Sequence, residues 1–162
     1  MRKSLSSVVG IACSLLLAGC FGGIGEEPQS EYKAVVMTRT EFEKSVTLES
    51  VKPITTSGKI YIKDNLLLIN DVDLGFHVYY YVNAQTPIKI AFIKIPGATD
   101  VAIRNNILYI NQAVDLVAIN YDPNTGEMTV TNRNRNVFPP KMSPDGFHHN
   151  TADNKVVISW KQ

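Results

Sequence analysis

Thiols are almost missing from this chain. Its two cysteines, Cys13 and Cys20, both stand among the first twenty residues, and none follows. A charge excess is missing too: sixteen Lys and Arg face fifteen Asp and Glu. No basic cluster stands out, so binding driven by counterion release has no footprint and no nucleic-acid partner is expected. Long apolar runs are absent. The stretch from Val8 to Ala18 falls short of the roughly 20 residues of a spanning helix. Catalytic signatures are absent as well, with no G-x-S-x-G, no Gly-rich phosphate loop and no H-E-x-x-H. Ser, Asp and His occur without such a frame. The chain is therefore expected not to be an enzyme, and no catalytic, cofactor or metal residue is assigned.

What is present begins with an address. Met1-Arg2-Lys3 is a short cationic region, Val8 to Ala18 is mostly apolar, and Leu17-Ala18-Gly19-Cys20 closes the segment. This order of charge, apolar run, small residues and cysteine resembles a bacterial lipobox. The resemblance implies a signal peptide over residues 1–19, cleavage before Cys20, and lipidation of that thiol. An ordinary secretory signal with a chance cysteine is the plainer alternative. With Cys13 removed and Cys20 acylated, the mature chain has no thiol for a disulfide, a CxxC site, a metal or nucleophilic attack. Losing Arg2 and Lys3 also lowers the sixteen basic residues to fourteen, close to neutrality. The anchor would hold the protein to a membrane without spanning it. Residues 20–31, rich in Gly, Glu and Pro, read as a flexible tether. No Asp follows Cys20, so by resemblance to Gram-negative lipoproteins the expected location is the cell envelope, at the outer membrane. Glu26-Glu27 is compatible with surface export, although an acidic pair in a tether more often only aids solvation.

The rest of the chain is organised by repetition. Residues 59–83 are echoed forty-one positions later by residues 100–124, with identities at Ile62/Ile103, Asn65/Asn106, Leu67/Leu108, Ile69/Ile110, Asn70/Asn111, Tyr80/Tyr121 and Asn83/Asn124. A repeat of this length, built from short strands, is what one blade of a β-propeller looks like. Each copy offers four strands: Lys59–Lys63, Leu66–Asn70, Gly75–Val82 and Ile88–Ile95, then Asp100–Arg104, Ile107–Asn111, Leu116–Tyr121 and Glu127–Asn132. Asn, Asp, Gly and Pro supply the turns. Ahead of the repeats, residues 32–58 hold a short strand, Tyr32–Met37, and one or two helical turns. Thr38 or Thr40 caps those turns, and Phe42 and Val46 lie against the sheet. Behind the repeats come a polar loop, Met142–Asp153, and one more strand, Lys155–Trp160. The expected fold is all-β and propeller-type over residues 59–162, with blades at 59–97 and 98–140, an extra strand at 155–160 and a short N-terminal helix.

At Asp115-Leu116-Val117-Ala118-Ile119-Asn120, and at Gly75-Phe76-His77-Val78-Tyr79-Tyr80, the chain resembles the LVIVD repeat of bacterial β-propeller lipoproteins. Residues 37–46, 58–63 and Ile95-Pro96-Gly97 extend the resemblance, which covers about Tyr32 to the C-terminus. It implies a multi-bladed envelope protein without an established catalytic motif. A closed propeller needs about four to eight blades. Two blades and a strand make an incomplete ring, so the expectation is a truncated member, or else a fragment that needs a partner. Open blade edges would favour self-association.

Several residues have two readings. Asp71-x-Asp73-x-Gly75 resembles half a calcium loop, but the twelfth position is Val82 rather than Glu, which favours a polar turn. His148-His149 near Asp145 and Asp153 could ligate a metal, yet neighbours on a strand face opposite ways, which favours a solvated loop. His77, opposite Ala118 in the other copy, reads as a satisfied or edge-exposed histidine. Tyr79-Tyr80-Tyr81 could stack on a sugar or peptide, or be one buried ring between two half-exposed ones. Arg133-x-Arg135 could hold an anion, or be exposed strand polars. The function expected is a lipid-anchored binding or scaffolding module whose protein or glycan ligand meets the end loops. The alternatives are the remnant of an envelope hydrolase or lyase whose site lay on missing blades, and a purely structural lipoprotein.

Overall fold

A computed structural model describes residues 29–152 and 154–162. The signal peptide, Cys20, most of the tether and Asp153 lie outside the described residues. Eleven strands and one helix follow in the order β1 (Lys33–Thr38), α1 (Arg39–Lys44), β2 (Thr47–Glu49), β3 (Ser57–Lys63), β4 (Leu66–Asp71), β5 (Gly75–Tyr80), β6 (Ile88–Lys94), β7 (Ala98–Arg104), β8 (Ile107–Gln112), β9 (Asp115–Asp122), β10 (Glu127–Asn134) and β11 (Lys155–Lys161). The protein is mostly β, and each repeat folds into its own antiparallel meander. The first gives a five-stranded sheet ordered β2-β6-β5-β4-β3, the second a four-stranded sheet ordered β10-β9-β8-β7. The turns form where Asn and Asp tolerate left-handed backbone, at Asp64, Asn105 and Asn106, whose φ values are 53°, 48° and 62°.

The two sheets stack face to face. Leu68, Phe76, Val78 and Ile93 of the first meet Val101, Leu108, Ile110 and Ile119 of the second in one dry core. Every one of these side chains is at least nine-tenths buried, so alternation along the strands sets the stacking. At the inner edge, the one formed by β3 and β7, the junction is polar. Lys59 Nζ lies 2.6 Å from Asp100, and the Tyr61 hydroxyl donates to the same carboxylate. Burial, then that bond, pushes the Tyr61 phenol up to about 12.

The repeats are not superposable residue for residue. Leu67 faces Tyr79 across β4 and β5, whereas its counterpart Leu108 faces Ile119 across β8 and β9. The β8–β9 turn spans only Ala113 and Val114, where β4–β5 uses Val72, Asp73 and Leu74. The third strands therefore slip by one residue. Tyr80 is equivalent to Asn120 rather than Tyr121, and His77 to Val117 rather than Ala118. A one-residue slip turns every side chain to the other face, and the shorter turn is what absorbs it.

The outward face of the first sheet is crossed by residues 50–56, which run from β2 at one edge to β3 at the other. Thr55 and Thr56 donate their backbone N–H groups to Asp71, Lys89 Nζ donates to the Lys52 carbonyl, and Lys52 Nζ sits 3.6 Å above the Phe92 ring. This strap and the three-residue β2 were not foreseen from sequence.

The extra strand expected at residues 155–160 is present as β11 (Lys155–Lys161). It pairs antiparallel with β1, Lys33 opposite Lys161 and Thr38 opposite Lys155. The resulting ribbon, with α1, packs under the turns at one end of both sheets. Phe42, fully buried, meets Ala113, Val114 and Val156 there. Thr38 opens the helix through a capping box: its Oγ1 accepts from Glu41 N–H at 3.3 Å, and Glu41 accepts from Thr38 N–H at 3.1 Å. The expected cap and Phe42 anchor are as anticipated, and Val46 is a half-buried neighbour of the main core. Among the described residues no helix is long and apolar enough to cross a membrane.

Candidate functional site

The chain's polar chemistry collects at two opposite ends. At the end away from the ribbon, the β3–β4, β7–β8 and β9–β10 turns and the end of β5 flank a cleft of about 460 Å³ between the sheets. Its floor is apolar, from Leu66, Ile103 and Leu108, and its walls carry Asn65, Asn106, Asn120, Asn124, Tyr80, Lys63 and the carboxylates of Asp64 and Asp122. Side-chain amides offer donors and acceptors side by side, and Tyr80 adds a half-buried ring with a hydroxyl. Asp122 is braced by Asn124 N–H at 2.8 Å, and that bond helps hold its carboxyl below the usual range. Lys63 pairs with Asp64 at 2.7 Å, which leaves Asp122 as the one charge of the lining without an opposite partner. Such a lining suits a neutral polyhydroxylated or amide-rich ligand and offers no nucleophile paired with a base.

At the ribbon end lies the most built polar cluster. Asp115, fully buried, accepts from Arg39 Nη1 at 2.7 and 2.9 Å, from Arg133 Nη1 at 2.9 Å and from Asn136 N–H at 3.0 Å. Burial opposes its ionisation, but Arg39, the Asn136 amide and Arg133 outweigh it and keep the carboxyl low. Both guanidinium groups lie 5.4 Å from the Phe42 ring centroid. Arg135 pairs with Glu43 at 2.8 Å. The Arg133-x-Arg135 motif is thus neither a free anion site nor idle strand polarity. It ties the second sheet to α1, and sequence could not show this because Asp115 and Arg39 are 76 residues apart.

The other singled-out residues are dispersed. Asp71 binds the strap and His77, while Asp73 pairs with Lys141 and accepts from Ser159 Oγ at 2.9 Å. Protein groups occupy both carboxylates, which is the polar-turn reading. His77 is fully buried, its Nε2 3.0 Å from Asp71 and its Nδ1 without a partner. An ionised carboxylate only accepts, so Nε2 carries the proton. Burial pushes the imidazole below its ordinary range, and Lys89 and Lys52 add to that against the pull of Asp71. Sealed beneath the strap against Phe92, 4.7 Å between ring centroids, the pair has no route to a substrate. Tyr79, Tyr80 and Tyr81 are all partly exposed, so the buried ring expected in that run is absent. His148 and His149 are exposed and lie beside a second cleft of about 480 Å³ with Tyr32, Phe147 and Trp160. Among the described residues no cluster of three or more His, Cys, Asp or Glu could hold a metal.

No family model, no curated protein and no solved structure matches the chain.

Proposed function

We propose that this chain is a lipid-anchored, non-catalytic binding module of the bacterial cell envelope, built from propeller-type blades. The cleft between the two sheets is its ligand site. The observation that carries this reading is the lining of that cleft: four asparagines and two tyrosines, Tyr80 and Tyr121, around an apolar floor, with its lysine already paired. Carbohydrate fits this chemistry best, since hydroxyls need alternating donors and acceptors and sugar rings have apolar faces. The LVIVD-like repeats and the lipobox-like N-terminus support the propeller and the anchor. Membrane attachment would run through lipid on Cys20, with the outer membrane as destination.

The test is calorimetric titration and thermal melting of the whole protein against neutral glycans, with extended peptides as the comparison set. A glycan should raise the melting temperature. Asn106→Ala and Asn120→Ala should each weaken its binding about tenfold, roughly 1.4 kcal/mol. Binding that both variants leave intact, or binding of peptides alone, would overturn the assignment.

A further inference from the structure

The two sheets present equivalent faces to different surroundings. Allowing for the slip at the shorter turn, the face of the second sheet packed on the first, with Val101 and Ile103, is equivalent to the first sheet's outward face. Ile60 and Ile62 hold those positions there and are 59% and 56% exposed. On the opposite side, Tyr61 and Leu68 of the first sheet line the internal junction. Their equivalents Ala102 and Tyr109 are exposed on the outside of the second sheet, where a mainly apolar depression of about 580 Å³ runs past Leu116 and Phe138. The molecule thus ends in two half-interfaces, one at each side, that are the two halves of the junction already inside it.

From this we infer that the chain assembles head to tail with further copies of itself, the Ile60–Ile62 face of one copy seating on the Ala102–Tyr109 face of the next. Continuity with the internal junction identifies the occupant as another copy, because the same register and the same two strands would meet. Volume agrees. The internal junction has a large ring at Tyr61 and a smaller side chain at Leu68, cross-strand partners; on the outer face the small residue is Ala102 and the ring is Tyr109, again cross-strand partners. Charge agrees as well. Position 59 and its equivalent, position 100, carry Lys and Asp, which pair inside the chain at 2.6 Å. Head-to-tail stacking would bring the Lys59 of one copy to the Asp100 of its neighbour, so that opposite charges alternate along the inner edge. The strap over residues 50–56 covers only the outer part of the face, around Phe92 and His77, and leaves Ile60 and Ile62 open. A heterologous contact of this kind closes into a ring when its rotation divides the circle, and two to four copies would supply about four to eight blades.

Co-expressing full-length chains that carry Ile62→Cys or Tyr109→Cys, and treating envelopes with a short bismaleimide, reads the contact directly. The mixed pair should give a cross-linked dimer at least tenfold above that from either variant alone or from the wild-type chain. In purified protein, Ile60→Glu, at a site already 59% exposed, should raise the dissociation constant of the assembly at least tenfold while shifting the melting midpoint of the separated chain by no more than an Ile60→Thr control. A monomer at all concentrations overturns the inference. So does a single variant that cross-links as well as the mixture, because that outcome means a symmetric face-to-face dimer, and so does an assembly indifferent to Ile60→Glu.

Discussion

Asp115 is a single buried carboxylate shared by two arginines from distant parts of the chain; its removal would leave Arg133 without its ion partner and Arg39 with only Asn136 and Glu43. Breaking one partner out of a buried ion cluster typically costs about 3–5 kcal/mol. Arg39 keeps some solvent contact, its side chain 22% exposed, so Asp115→Asn should cost nearer 3 kcal/mol, read from the urea midpoint of unfolding. Acidity acts at a second residue. His77 is held below its ordinary value, so as pH falls below about 6.5 the unfolded chain takes a proton that the folded chain refuses. Folded His77 therefore contributes stability above that pH and loses it as pH falls towards its own lowered value. Asp71, Asp100 and Asp115, all held low, lose theirs at more acidic pH. Stability should decline between pH 7 and 5, and His77→Gln should flatten that decline when midpoints are compared across the range. An equal slope in the variant would assign the effect elsewhere.

At the scale of elements, sequence and structure agree where the controlling physics is local. Strand periodicity located the four strands of each repeat, and the capping residues around Thr38 and Glu41 located α1. The edges moved by a residue or two, as with β10, which runs on to Asn134. The strap, β2 and the β1–β11 ribbon escaped because each depends on a partner far along the chain, and three residues carry too little pattern to read as a strand. The cleft escaped in part. Its asparagines read as turn residues, which they are, and only stacking of the sheets brings Asn65, Asn120 and Asn124 to one place. The slip between third strands also stayed hidden, because an ungapped comparison rewards Tyr80/Tyr121 and cannot see a turn shortened by one residue. Gly75 shows how tightly the longer turn is held. Its φ is 147°, and a Cβ there would sit 2.0 Å from the Ile93 carbonyl oxygen. Gly75→Ala should cost at least about 3 kcal/mol from backbone strain and the clash together, seen as a lowered melting midpoint.

Across the whole molecule, the tether enters at the ribbon end, where Ser30 and Glu31 are held by Asp145, while the asparagine cleft opens at the opposite end. An anchor at Cys20 would join the folded part at the end opposite the cleft. Cys20→Ser should therefore move the protein from the detergent phase to the aqueous phase in a cloud-point partition while leaving glycan affinity unchanged. Retention in the detergent phase would count against lipidation. The ribbon itself has a consequence for how the chain comes to be folded. β1 is among the first strands synthesised, yet its hydrogen-bonding partner is β11, close to the last residue described. Both meanders can close from neighbouring segments as they emerge, since their pairings are nearly all between consecutive strands. α1 can lay Phe42 on Ala113 and Val114 once the second meander has formed, but β1 stays unpaired, and the Val156 side of Phe42 uncovered, until β11 arrives. Long-range closure of that kind is slow, and the interval before it is when this protein most needs a chaperone.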